Sequence, residues 1–134
     1  MLAKFTVSIC LALGLAVSSA LAQNELTTTI RLVCAWTNTI DTKTLENSKI
    51  TGATLITVEP DGVLRREGLG AFFRARVTAE KIEAETEYQL GGPQVFTERI
   101  EINRYTGKIE KWFLIGNEGL IHYGTCKPVT RQLF

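Results

Sequence analysis

KIEAETEYQL, residues 81–90, decides the fold class of this chain. Its glutamates, lysine and alanine are good helix formers. Its spacing is that of a strand. Ile82, Ala84, Thr86, Tyr88 and Leu90 alternate without a break against Lys81, Glu83, Glu85, Glu87 and Gln89. A helix would scatter the apolar positions around its circumference, whereas a strand puts them all on one side. We read the segment as a strand entered through a turn at Ala79-Glu80, with helix as the competing assignment. Its Glu83-Glu85-Glu87 row then faces water.

Moving toward the C-terminus, Gly91-Gly92-Pro93 breaks the pattern and period two resumes. Thr97–Arg104 reads as a strand with Ile100 and Ile102 inward. Lys108–Ile115 follows, with Ile109, Phe113 and Ile115 on one face and Trp112 and Leu114 on the other. Between them, Tyr105-Thr106-Gly107-Lys108 supplies a hydroxyl and a glycine where the chain must reverse. Gly116-Asn117-Glu118-Gly119 is a second reversal. Leu120–Cys126 is the last strand, and Pro128 ends it.

Toward the N-terminus, Ala71–Thr78 alternates, with Phe73, Ala75 and Val77 opposite Phe72, Arg74 and Arg76. Gly68 and Gly70 separate it from a short strand, Val63–Arg66. Pro60-Asp61-Gly62 is a turn signal, because proline presets φ and glycine accepts a positive one. Lys49–Glu59 reads as one strand and Thr37–Ser48 as a polar loop. Thr28, Ile30, Leu32, Cys34 and Trp36 share a face, which points Cys34 inward. About eight short strands without a long helical pattern predict an all-β, antiparallel meander, closed as a small barrel or folded as a sandwich.

The first 22 residues have a different character. Lys4 precedes an apolar run from Val7 to Val17, and Ala20-Leu21-Ala22 matches a small-x-small cleavage pattern. Residues 1–22 are read as a signal peptide and residues 23–134 as one β domain, periplasmic or secreted. The run is short for a membrane anchor. Cys10 lies too early for a lipid-attachment site, and Ile9 before it is too large. Loss of Lys4 from the 15 basic residues leaves 14 against 14 acidic ones. That balance argues against a nucleic-acid binder, which needs surplus cations, and no span remains after cleavage.

Cleavage also removes Cys10 and leaves Cys34 and Cys126. An even count in an exported chain predicts a disulfide. The bridge would join the first and last strands, which is where a meander closes. Spanning 92 positions, it is worth roughly 4–5 kcal/mol at most by the chain-entropy model.

Catalytic constellations are hard to find. The chain contains no phosphate loop, metal helix, nucleophile elbow or Cys-x-x-Cys. His122 is the single histidine and reads as partly buried and structural. The Glu83-Glu85-Glu87 row reads as a solvated face. No catalytic residue, cofactor or metal site is therefore expected. Two surfaces are candidates for binding. Phe72, Arg74 and Arg76 could engage a carboxylate, a glycan or an acidic protein, although the Glu83 row is a competing partner for those arginines. Trp112 and Tyr123 face away from their strands' main apolar rows. They would line a ligand wall or partner patch, or close a second core layer.

The stretch ERIEINRYTGKIEKWFLIGNEGLIHYGTCKP resembles the C-terminal half of small secreted proteins of alphaproteobacteria. Those carry a cysteine in the first strand, an I-x-R-x-T-G hairpin and a G-x-C last strand. Here the matching residues are Cys34, Ile102 to Gly107, and Gly124-Thr125-Cys126. The resemblance implies export and a β fold, without an activity. The chain is also similar in architecture to periplasmic inhibitors of c-type lysozyme, but lacks their Ser-Gly-x-x-Tyr loop. The expected function is a non-enzymatic binding or interaction module for an unknown protein or small ligand. The alternatives are an inhibitor of a secreted hydrolase and a carboxylate-dependent hydrolase.

Overall fold

A computed structural model of the chain describes residues 28–68 and 72–129; residues 1–27, which include the expected signal peptide, residues 69–71, with Gly70 and the expected strand start at Ala71, and residues 130–134 lie outside them. The described residues form nine strands and no helix. These are β1 (Ile30–Asp41), β2 (Asn47–Lys49), β3 (Ala53–Val58), β4 (Val63–Arg66), β5 (Phe72–Val77), β6 (Lys81–Tyr88), β7 (Phe96–Asn103), β8 (Lys108–Ile115) and β9 (Glu118–Pro128). Residues 81–88 are thus strand, and alternation prevails over helix propensity. The reason is packing: β6 pairs along its whole length with β7 and buries Ile82 and Ala84.

The sheet runs β1-β3-β4-β5-β6-β7-β8-β9 and closes where β9 pairs back with β1, giving an eight-stranded antiparallel barrel. Closure removes both sheet edges. The small strand β2 attaches to the outer part of β1. Cys34 and Cys126 are direct partners across the β1–β9 seam and are disulfide-bonded. The sandwich alternative is thereby excluded.

Three boundaries differ from the sequence reading. Residues 37–41, expected as loop, continue β1 to Asp41. A bulge between Trp36 and Asn38 interrupts the register there. A bulge adds a residue and shifts the alternation by one, so the period-two pattern stops while the strand does not. Lys49–Glu59 is not one strand. Ile50–Gly52 crosses from β2 to β3, held by Ile50 N–H donating to Thr37 O and Trp36 N–H to Gly52 O. The last reversal is tighter than expected, because Ile115 and Glu118 are already partners around Gly116-Asn117.

Inward side chains are stacked in two zones. At the end bearing the disulfide, Ile56, Leu64, Ile82, Ile100, Ile102 and Ile109 fill the interior. Fully burying each contributes about 1.5–3 kcal/mol. The β7–β8 hairpin caps this end. Asn103 Oδ1 accepts the amide protons of Tyr105 and Thr106 at 2.9 and 3.0 Å. Gly107, with φ 76°, lies flat on β9, where Cys126 N–H donates to its carbonyl at 2.7 Å. The opposite end of the interior is not apolar.

Candidate functional site: the charged end of the barrel

The residues that define this end sit in the same inward rows as the core. Along β4, Leu64 is followed inward by Arg66. Along β7, Glu98 precedes Ile100 and Ile102. Along β8, Lys111 lies between Ile109 and Phe113. His122 lies opposite Lys111 on β9. The β1 bulge turns Thr39 inward, opposite His122. Period two on four strands, together with one bulge, therefore gathers a charged cluster that no short motif encodes.

Arg66 and Glu98 form a close ion pair, with side chains 6% and 4% exposed. Lys111 Nζ is 4.0 Å from the same carboxylate oxygen, Oε1, and its side chain is 18% exposed. Two cations thus share one oxygen. Both also lie over aromatic faces, Arg66 at 4.7 Å from the Phe73 centroid and Lys111 at 5.3 Å from that of Trp36. These contacts replace part of the hydration that burial removes. The Trp36 indole N–H donates to Thr54 Oγ1 at 3.0 Å, and its ring is 5.9 Å from His122.

One row nearer the mouth, Tyr88, Phe96 and Phe113 form a ring cluster with centroids 5.6–6.4 Å apart. Ile115 and Leu120 continue the same rows and are exposed. They border a cleft of about 510 Å³ shared with Asp41, Lys43, Glu118 and Gly119.

The electrostatics follow from this placement. Burial pulls the Lys111 ammonium below its ordinary value, although Glu98 opposes the shift. Burial, then the Lys111 charge, pulls His122 below 6.5 and favours neutral imidazole. Burial, then Glu98, raises the Tyr88 phenol. Among the described residues, four buried side-chain polar atoms have no protein partner: Thr39 Oγ1, Arg66 Nε, Glu98 Oε2 and His122 Nδ1. All four belong to this cluster. Buried polar atoms are normally satisfied, so the concentration of exceptions in one place marks the cluster as unlike the rest of the core.

The surfaces anticipated from sequence lie elsewhere, on the outside of the barrel. Arg76 donates to Glu83 Oε2 at 2.7 Å and is Glu83's cross-strand partner, as the competing reading had it. Glu83 is also held by Lys81 at 2.7 Å. The Lys81 and Arg76 hydrogen bonds, in that order, bring its carboxyl down to about 2. Arg74 lies opposite Glu85 and lines the same charged groove. Phe72 pairs with Arg65, and its side chain lies outside the described residues. Trp112 packs beneath the Arg99 guanidinium, 5.1 Å from the ring centre. Tyr123 lines an outer cleft of about 370 Å³ with Asn38, Lys108 and Glu110. Trp112 and Tyr123 therefore stand on the outer surface and close no second core layer inside the barrel. Sequence reasoning singled out His122 but passed over Thr39, Arg66, Glu98 and Lys111. For Arg66, Glu98 and Lys111 the available signal was a charge in an inward position of a strand. For Thr39 there was none, since only the bulge turns it inward.

No family model, curated protein or solved structure matches this chain.

Proposed function

We propose that this protein is an exported, non-enzymatic binding module that takes a small ligand at the charged end of its barrel. The observation that carries the reading is the concentration of partnerless buried polar atoms around Arg66 and Glu98, beneath a half-exposed aromatic cluster. Binding sites in small barrels are mostly apolar with a few convergent polar groups, which is the mixture found here. Export is supported by the leader pattern of residues 1–22 and by the disulfide, which persists in oxidising compartments.

Two measurements test the two halves of this reading. Mass spectrometry of the chain expressed with its leader is expected to find an N-terminus at Gln23 and an intact Cys34–Cys126 bridge in the exported fraction. Retention of an unprocessed chain in the cytoplasm would remove the export half. A small-molecule screen followed by NMR is expected to move the Trp36 indole and His122 ring signals. Hits that move only Trp112 or Tyr123 would transfer the function to the outer face and favour a protein partner, such as a secreted hydrolase.

A further inference from the structure

We infer that the ligand is a monoanion: a small carboxylate with an aromatic or flat apolar body. Its carboxylate would lie between Lys111 and His122, and its body against Tyr88, Phe96 and Phe113. The inference rests on the proposed interior site and goes on to name its ligand class.

The charge balance selects the sign. Among the described inward side chains below the rim, Arg66 and Lys111 are cationic and Glu98 alone is anionic. The carboxylates at the rim are engaged elsewhere. Asp41 Oδ1 accepts the amide protons of Lys43 and Thr44 at 2.9 and 3.1 Å. Glu118 is 4.0 Å from Lys43. A buried cation without a full counter-ion is unfavourable, and an anion arriving from solvent relieves it.

Geometry selects the position. Arg66 is held by Glu98 in direct contact, whereas Lys111 stands 4.0 Å from the same oxygen. Lys111 is also the more exposed of the two cations. The less completely paired cation is thus the one solvent reaches. Lys111 and His122 are cross-strand partners on adjacent strands, so one planar carboxylate can bridge an ammonium and an imidazole N–H. Burial lowers the proton affinity of both groups, and an anion placed between them would oppose that shift.

The neighbours limit the ligand further. A second negative charge would meet Glu98, whose Oε2 has no donor of its own, so dianions are disfavoured. Phe113 follows Lys111 by one inward step on β8, and Phe96 precedes Glu98 by one on β7. One step along a strand face is roughly 7 Å. A group of single-ring size attached to the carboxylate would reach this cluster.

Phenylacetate and phenylacetamide are matched probes, titrated into the mature, disulfide-bonded protein at millimolar concentration. Phenylacetate is expected to bind at least about tenfold more tightly than the amide and to shift the Trp36 indole and His122 signals. Lys111→Met should bring phenylacetate down to the level of the amide. In that variant Glu98 keeps its direct pair with Arg66, so no buried charge is left without a partner and the fold is expected to persist. Equal affinities, or a preference that survives Lys111→Met, would overturn the monoanion inference and leave interior binding standing. Shifts confined to Trp112 or Tyr123 would overturn both. Failure of phenylacetate to bind at all would overturn the inference.

Discussion

Arg66 and Glu98 pair inside the barrel across a sequence separation of 32 residues, with both side chains more than nine-tenths buried. Each is drawn inward by the alternation of its own strand, and neither alone would be tolerated there. Breaking such a pair leaves an uncompensated buried charge, which costs about 3–5 kcal/mol. Arg66→Met and Glu98→Leu are each expected to destabilise by that order in chemical denaturation. The double variant should recover part of the loss, because Lys111 then still lacks its carboxylate. Additive losses would mean the two charges are supported independently of each other.

The seam between β1 and β9 gives a second prediction. Reduction of Cys34–Cys126 releases a constraint spanning 92 residues and should lower the melting temperature by about 10–20 °C. The Cys34→Ala/Cys126→Ala variant should melt like the reduced protein. Melting unchanged by dithiothreitol would show that hydrogen bonding alone holds the seam closed.

Gly107 tests the cap on the disulfide end. At φ 76° it occupies the left-handed region, and a Cβ there would lie 2.5 Å from the Cys126 carbonyl oxygen. Gly107→Ala should therefore cost about 2 kcal/mol or more. Gly91 has the same φ and nothing within 4 Å of its Cβ position. Gly91→Ala should cost only the conformational part, about 1 kcal/mol. Equal losses at the two sites would discount the close approach to β9.

On the outside of the barrel, acid should act through Glu83. Its folded carboxyl titrates at about 2 against an ordinary 4.5. A depressed acid stabilises the fold above 4.5, and that stability is lost as the pH falls from 4.5 through 2. Because Arg76 is 73% exposed, solvent screening limits the contribution to about 1–2 kcal/mol. Glu83→Gln should be less stable than the parent at neutral pH and equal to it at the acid end. Parallel stability curves across the whole range would contradict this account.

His122 acts in a higher window and on the inside. Its folded value lies below 6.5, so the neutral ring stabilises the fold above 6.5 and that stability is lost as the pH falls below it. Lys111, Glu98, Trp36 and Thr39 are the groups around the ring. A His122→Gln variant should lose this dependence, read from denaturation midpoints on either side of 6.5. An NMR titration placing His122 above 6.5 would reverse the sign and locate the ring in a net negative environment.

Local sequence determined much of this protein. The alternation in KIEAETEYQL specified β6, the cysteine count specified the bridge, and the Arg76–Glu83 pairing followed from facing rows of opposite charge. These are properties of one strand or of adjacent strands, and a period of two records them directly. The tertiary structure alone decided three further things. It selected barrel over sandwich, because closure depends on how far a sheet twists and coils, which no segment encodes. It carried β1 through the Trp36–Asn38 bulge and turned Thr39 inward, because a bulge is defined by the partner strand. It also brought Thr39, Arg66, Glu98, Lys111 and His122 together from five strands. Each reads alone as an ordinary polar residue or an interruption in an apolar row. Only closure of the barrel makes them neighbours.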